Sequence, residues 1–248
     1  MTVRLIDEGE FDEPMHHALD QVLLDRLAAD EIEPTVRFWY RTSPAIPLGR
    51  FQAYEDEVAT DYVESHGIDV VRRITGGGAM FAEPGDVITY SMYFRREDVP
   101  DDIEESYEKL DEWVLDGLER AGLAAYHEPL NDISHAEGKI GGSAQLRSGD
   151  AVLHHTTMSY SVDIAGMLKA LRIGEEKVSD KAVKSAEKRV ARITDHVEGS
   201  REAIIGSLID ALDSTYGTRE GSYEEATLER ARALADSQFR TDEWNKRL

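Results

Sequence analysis

Apolar positions first fall into register after Phe11-Asp12-Glu13-Pro14. Met15, Ala18, Leu19, Val22, Leu23 and Leu27 then recur every three or four residues, which predicts one face of a helix. Acidic residues and a proline in its first turn suit a helix start. Thr35 to Arg41, rich in β-branched and aromatic residues, predicts a strand. A proline-containing stretch follows to Leu48-Gly49-Arg50. Tyr54 to Ser65 predicts a helix, closed by Gly67. Asp69 to Ile74 is a short predicted strand that runs into Thr75-Gly76-Gly77-Gly78. Val87 to Phe94 is the next. Ile103, Tyr107, Leu110, Val114 and Leu118 mark a long helix ending at Gly122. From about Leu123 to Val162 the pattern is strand-like, interrupted by Gly138, Gly141, Gly142 and Gly149. From about Ile164 it is mostly helical. Strands bunch between helices without regular alternation, so the expectation is an α+β domain: a mixed or antiparallel sheet flanked by helices.

Length and composition narrow this picture. The 248 residues show no internal repeat and no Pro/Gly/Ser linker, and residues 1–248 read as one domain. No apolar run approaches the roughly 20 residues of a membrane span. The first residues run straight into charged sequence, so no signal peptide is read and a cytoplasmic location with no membrane partner is expected. There is no cysteine, which excludes disulfides, thiolate metal sites and thiol nucleophiles. The formal charge of −22 repels nucleic acid. Among the basic residues, 20 are Arg and 8 are Lys. An acidic, lysine-poor chain with an ordinary apolar fraction suits a salt-rich, halophilic cytosol, where screening removes self-repulsion.

The strongest local signal for chemistry is Arg72-Arg73-Ile74-Thr75-Gly76-Gly77-Gly78-Ala79-Met80-Phe81. Three glycines let a ligand lie on the backbone, and their N–H groups can converge on an anion. Two arginines add donors for phosphate or carboxylate. The alternative is a plain glycine turn with two surface arginines. The segment lacks the Gly-Lys-Ser/Thr of a Walker loop and the spacing of a dinucleotide-binding fingerprint. The second signal is Asn131-Asp132-Ile133 with Gly138-Lys139-Ile140-Gly141-Gly142-Ser143-Ala144. Lys139 among glycines is a candidate buried cation able to neutralise a carboxylate and a phosphate as they join. Asp132 is a candidate Mg²⁺ ligand, since that ion takes one or two carboxylates plus substrate phosphates. A β-hairpin with Lys139 in water is the alternative.

Other features are weaker. His154 and His155 share a predicted strand, so their rings face opposite sides and cannot easily share a metal; one exposed and one packed is expected, with one lining the site as the alternative. His16 and His17 read as structural. Lys177, Lys181, Lys184, Lys188, Arg189 and Arg192 form a basic stretch that suits an acidic partner, a nucleotide or a solvated helix face.

The Arg72–Phe81 loop resembles the signature of lipoate–protein ligases, and Pro129–Ile133 with Gly138–Ala144 resembles that family's second block. A looser likeness continues through His154-His155-Thr156-Thr157, residues 182–193 and residues 233–245. The resemblance implies a catalytic core like those of biotin ligases and class II aminoacyl-tRNA synthetases. It implies attack of lipoate on ATP to give lipoyl-AMP, then transfer to a lysine of a lipoyl domain or glycine-cleavage H protein. It implies that Lys139 grips the lipoate carboxylate and the phosphate. Arg73, Gly78, Ala79, Met80 and Phe81 would line nucleotide and acyl group, Arg72, Gly76 and Gly77 would shape the loop, and Asn131 would belong to the site. Asp132 would hold Mg²⁺.

Three departures qualify the likeness. Ala82-Glu83 stands where many bacterial relatives have His-Asp, so no role for that His carries over. Thr156 stands where many have Gly. The small C-terminal accessory domain of many ligases is not read here, which implies a separate accessory chain. Two rivals share the fold: a transferase using preformed lipoyl-AMP, and an octanoyltransferase, whose usual cysteine this sequence lacks. A non-catalytic lipoyl- or nucleotide-binding regulator is the rival from another class, and retention of Lys139 and both arginines argues against it.

Overall fold

Asp12 caps the first helix, α1 (Glu13–Ala28), by accepting a hydrogen bond from the Met15 amide at 3.1 Å. Pro14 sits in the first turn, where its missing N–H costs nothing. The computed structural model describes residues 2–172 and 190–248. Of the basic stretch, Lys177, Lys181, Lys184, Lys188 and Arg189 lie outside the described residues, as does most of the family-like run 182–193.

The strands are β1 (Val3–Ile6), β2 (Glu10–Phe11), β3 (Thr35–Phe38), β4 (Tyr40–Arg41), β5 (Ala45–Leu48) and β6 (Asp69–Arg72), then β7 (Val87–Arg95), β8 (Tyr126–Glu128), β9 (Asp132–His135), β10 (Gly138–Ser148), β11 (Ala151–Ser159) and β12 (Thr218–Glu220). Eight form one sheet in the order β12-β1-β3-β7-β11-β10-β9-β8. The first two pairings are parallel and the rest antiparallel, so the sheet is mixed, as expected. β2–β4 and β5–β6 are two small parallel ribbons.

Alternation along the central strands divides the core. Val152 and Met158 of β11 face one side with Tyr90, Met92 and Phe94 of β7. There they meet α4 (Ile103–Arg120) and α6 (Arg201–Tyr216) through Leu110, Trp113, Val114, Ile205 and Leu208. Leu153 and Tyr93 face the other side, against Leu19, Leu23 and Leu27 of α1. α7 (Glu225–Leu234) covers α1 through Ala231. A third cluster joins Ile46 and Leu48 of β5 to α2 (Tyr54–Glu57), α3 (Thr60–His66) and α5 (Ile164–Ala170). A short helix, α8 (Asp242–Asn245), packs on β6. Among the described residues no helix is long and apolar enough to cross a membrane.

Three local readings change. The helix predicted over Tyr54–Ser65 is two helices, because Val58 bridges Leu171 and the Ala59 amide donates to the Ala170 carbonyl. The strand predicted over Thr35–Arg41 breaks at Trp39, after which Tyr40 and Arg41 pair with β2 instead of β7. β1 had no counterpart in the sequence pattern; Val3 and Ile6 are buried between β12 and β3, while charges flank them.

Candidate active site

A cavity of about 340 Å³ opens between the glycine loop, the ends of β10 and β11, and the start of α1. Its mouth is shaped by backbone. The Arg73 guanidinium donates to the carbonyls of Gly76 (3.1 and 2.7 Å), Gly78 (2.9 Å) and Pro47 (3.1 Å). Four of its five N–H groups are thereby engaged. Because C=O and N–H of a trans peptide point opposite ways, the amides of Gly77 and Ala79 point away from Arg73 and can meet an anion. Gly77 has φ +93°, and a Cβ there would come 2.7 Å from Arg73 Nη2, so only glycine fits. A Cβ on Gly49 would collide with the Gly77 carbonyl, which fixes the loop from below. Burial lowers the Arg73 pKa to about 10, which leaves it charged at neutral pH.

Across the mouth stands Lys139 on β10. Its Nζ lies 2.6 Å from Asp132 Oδ1, and its side chain is 47% exposed. The backbone slips register between Lys139 and Gly141 against β9, a bulge that re-aims the side chain. Lys139 then lies over Gly142, where a Cβ would come 3.0 Å from Nζ. Gly141 lacks room for any side chain, because a Cβ would sit 2.7 Å from the Thr157 carbonyl. Asn131 braces this strand by donating to the Ser143 carbonyl at 2.5 Å and accepting from the Ser143 amide.

The cavity floor is built from buried charge. Glu13, fully buried, accepts from Arg41 Nε at 2.7 Å, and Arg41 Nη1 donates to Thr89 Oγ1 at 2.8 Å. Burial would raise the Glu13 carboxyl, yet Arg41 and His17 outweigh it and hold it well below the usual carboxylate range. Asp20 accepts from Arg37 at 2.6 Å, Ser91 at 2.8 Å and Tyr93 at 2.5 Å. Against its burial, Arg37 and His155 likewise hold its carboxyl far down. His155 Nδ1 lies 2.9 Å from Asp20, and Nε2 lies 2.8 Å from Thr75 Oγ1. Burial pulls the His155 pKa down to about 4 despite Asp20. The ring is therefore neutral near pH 7, with Nδ1–H donating to Asp20 and Nε2 accepting from Thr75. This chain ties α1 to the first residue of the glycine loop. Trp39 lies among these groups, stacked on His16 and with the Arg37 and Arg41 guanidiniums 4.6 and 5.0 Å from its ring.

The structure brings Arg73, Gly77, Gly78, Ala79, Met80, Phe81, Asn131 and Lys139 together on the cavity wall. Gly76 stands behind it. Asp132 touches the site through Lys139 and does not line the cavity. Arg72 is turned away: its guanidinium donates to the carbonyls of Gly49, Arg50, Gln52, Trp244 and Asn245. It clasps the C-terminal helix and has a scaffolding position. Lys139 is half exposed, not buried, because the β9–β10 edge leaves it open. Both His154 and His155 are buried, contrary to the expected exposed–packed split, and His155 lines the cavity, which is the alternative outcome for the pair. They do face opposite sides, and His154 lies against Asp111 at 2.7 Å within the α4 layer. His16 is structural, whereas His17 lines the cavity. Glu13, Trp39, Arg41, Thr89 and Thr157 also line it and were not read as site residues. The available signal was polar spacing: Glu13, His16, His17 and Asp20 share a helical face, and Arg37, Trp39 and Arg41 alternate. Among the described residues no group of three or more His, Asp or Glu is arranged to hold a metal.

Comparison with known proteins gives consistent matches. The sequence model of the lipoyl protein ligase A/B catalytic domain matches residues 12–213. Lipoate-protein ligase A subunit 1 of Thermoplasma acidophilum is 34% identical over 225 residues, 86% of this chain and 84% of that protein. Octanoyltransferase LipM of Halalkalibacterium halodurans is 27% identical, covering 99% of each chain. Among solved structures, a bi-partite lipoate protein ligase studied with its E2 lipoyl domain, from T. acidophilum, superposes with TM-score 0.88 at 31% identity, over 99% of this chain and 96% of that one. A putative lipoate protein ligase from T. acidophilum with bound lipoic acid gives 0.83 at 27% identity, over the whole of both chains. A lipoate-protein ligase A bound with ATP gives 0.84 at 27% identity, over 99% of each.

Proposed function

The chain belongs to the lipoyl protein ligase A/B catalytic-domain family, and on that premise we propose that it activates lipoate with ATP and passes the lipoyl group to a lysine of an acceptor lipoyl domain. The observation that carries this reading is Lys139 standing across one cavity mouth from the Arg73-held glycine loop. In the first step a lipoate carboxylate oxygen attacks the α-phosphorus of ATP and pyrophosphate leaves. Two anions must approach, so fixed positive charge and backbone donors supply much of the rate. Lys139 Nζ supplies the charge, and the Gly77 and Ala79 amides supply donors. In the second step the acceptor's lysine amine attacks the acyl carbon, loses its proton, and AMP leaves with the bonding electrons. No enzyme-bound acyl intermediate is required, and with no cysteine in the sequence no thioester can form on it. This absence weighs against an octanoyltransferase, despite the full-length likeness to one.

ATP and lipoate are proposed as substrates because related structures are described with each bound. Mg²⁺ would accompany ATP and neutralise its phosphates. Among the described residues, Asp132 is the carboxylate that meets Lys139 and could share the metal, which suits an ion delivered with nucleotide better than a resident one. Similarity to a protein named subunit 1 and to a bi-partite ligase supports a separate accessory chain as partner. We place the activity in the cytoplasm, where ATP is available.

Pyrophosphate release by the purified chain with ATP, Mg²⁺ and lipoate tests the proposal, with and without the accessory chain and at high salt. Lipoate-dependent release is expected. Lys139→Ala should lower it by about 10²–10³-fold, the usual effect of removing one stabilising donor. Unchanged release in that variant would sink the assignment of Lys139. If no release occurs but synthetic lipoyl-AMP lipoylates an acceptor, the chain is a transferase only.

A further inference from the structure

A ligand held by its carboxylate at Lys139, on the open mouth, runs its tail toward the buried end of the cavity. An alkyl tail calls for an apolar end there. Val162, Met167 and Leu171 give the cavity an apolar wall, but the part lined by α1 and the strands beside it carries Glu13, His17, Trp39, Arg41 and Thr89. Most of that set is self-satisfied, since Glu13 pairs with Arg41 and Arg41 with Thr89. His17 is the exception. It is 1% exposed and lines the cavity. Its Nδ1 has no hydrogen-bond partner among the described residues. Its Nε2 lies 3.1 Å from Glu13 Oε1, so the Nε2 proton faces that carboxylate and Nδ1 is the unpaired acceptor. Buried polar atoms are rarely left unpaired, and each orphan is costly. A ring with spare capacity at the end of a ligand cavity calls for a ligand atom to meet it.

We propose that His17 is a specificity-determining residue: its Nδ1 accepts a hydrogen bond from a donor near the far end of the acyl chain. The cavity then selects a chain whose far end carries a hydroxyl or thiol, such as the dithiol of a reduced lipoyl group, over a plain alkyl chain. The inference rests on the acyl-adenylate reading above and names the acyl class within it. A thiol is a weak donor and a ring disulfide donates nothing, so a terminal hydroxyl gives the larger effect.

Calorimetric titration with synthetic adenylates, without any acceptor protein, tests this. The probes are octanoyl-, ω-hydroxyoctanoyl- and lipoyl-adenylate, which are already activated and need no accessory chain. The ω-hydroxyoctanoyl compound should bind at least about tenfold tighter than the octanoyl one, as expected when an orphaned buried group gains a partner. An apolar pocket would give the opposite order. His17→Leu should erase or invert that preference, and His17→Gln should keep part of it. Equal binding by the wild-type chain, or a preference that survives in His17→Leu, overturns the proposal and leaves the ligase reading intact. Failure of all three adenylates to bind overturns both. If the Leu variant does not fold, the wild-type order and the Gln variant still decide.

Discussion

The mouth and the floor of the cavity are built by opposite means. The mouth is glycine backbone with one half-exposed lysine: its loop amides remain available, and Lys139 gives one of its three N–H donors to Asp132. The floor and the layer behind it are buried polar groups, each taken up by another: Glu13 by Arg41, Asp20 by Arg37, His155 by Asp20 and Thr75. Available donors serve chemistry, because they gain partners only as the reacting anions arrive. Consumed ones serve position, because removing either partner strands a charge where water cannot reach it. His17 alone on the floor behaves like a mouth residue.

The comparison is broken most directly at Asp20. Asp20→Ala leaves Arg37 buried without its carboxylate, and should cost about 3–5 kcal/mol of folding free energy in denaturant titration. Lys139→Ala, by contrast, should leave the unfolding midpoint almost unmoved while removing activity. Equal stability losses in the two variants would erase the distinction. Acid sharpens it next. The folded-state pKa of His155 lies near 4, below its ordinary 6.5, because burial disfavours the charged ring. Between those values the unfolded chain binds more protons, so stability is complete above pH 6.5 and falls as pH drops toward 4. The slope from this residue alone is up to about 1.4 kcal/mol per pH unit. His16, held well below its ordinary value by burial and Arg37, acts in the same direction. Thermal unfolding followed from about pH 7 down toward the folded-state value should show the fall, and His155→Gln should flatten it. A flat wild-type profile would mean that the floor is wetter than its packing indicates.

The two regions also differ in how far the sequence discloses them. The mouth is made of local motifs: Arg73 folds a loop three to five residues away, and Lys139 meets Asp132 seven residues away. Such spacing can be read directly. The floor joins residues 17 to 135 positions apart, as Arg37 to Asp20 and His155 to Asp20 show. The polar stripe Glu13, His16, His17, Asp20 and the alternating Arg37, Trp39, Arg41 are visible separately. Only the sheet register brings them together. The same limit explains Arg72, adjacent to Arg73 in sequence but turned by strand alternation toward Trp244 and Asn245. It also explains β1, whose partner β12 lies at the other end of the chain. The α+β class was legible because the order and bunching of strands carry it, whereas the choice between a mixed and an antiparallel sheet turns on the parallel pairings of β1 with β3 and β12.

Gly77 tests whether the mouth depends on backbone shape alone. A methyl group there meets both a left-handed φ and the Arg73 guanidinium. Gly77→Ala should cost about 1–2 kcal/mol from the backbone conformation, and nucleotide affinity should fall further than that loss of stability suggests, because the loop amides lose their aim. Gly78→Ala, with open space where its methyl group would sit and no left-handed φ, is the matched control and should fold normally. Indistinguishable ATP affinities for the two variants would show that the Arg73-held geometry is not what binds the anion.

The smallest effect on stability is expected at Asp132, and it separates two roles for that carboxylate. Its pair with Lys139 is largely solvent-exposed, and such pairs contribute about 0–1 kcal/mol. Asp132→Asn should therefore unfold within that margin of the wild type. If Asp132 only restrains Lys139, the freed ammonium should bind the incoming anions at least as well, and the Mg²⁺ dependence of pyrophosphate release should not move. If Asp132 shares the ion delivered with ATP, half-maximal Mg²⁺ should rise while lipoate affinity stays the same. We expect the second pattern, because Lys139 engages Oδ1 and the second carboxylate oxygen remains as the neighbouring hard ligand for a phosphate-bound ion.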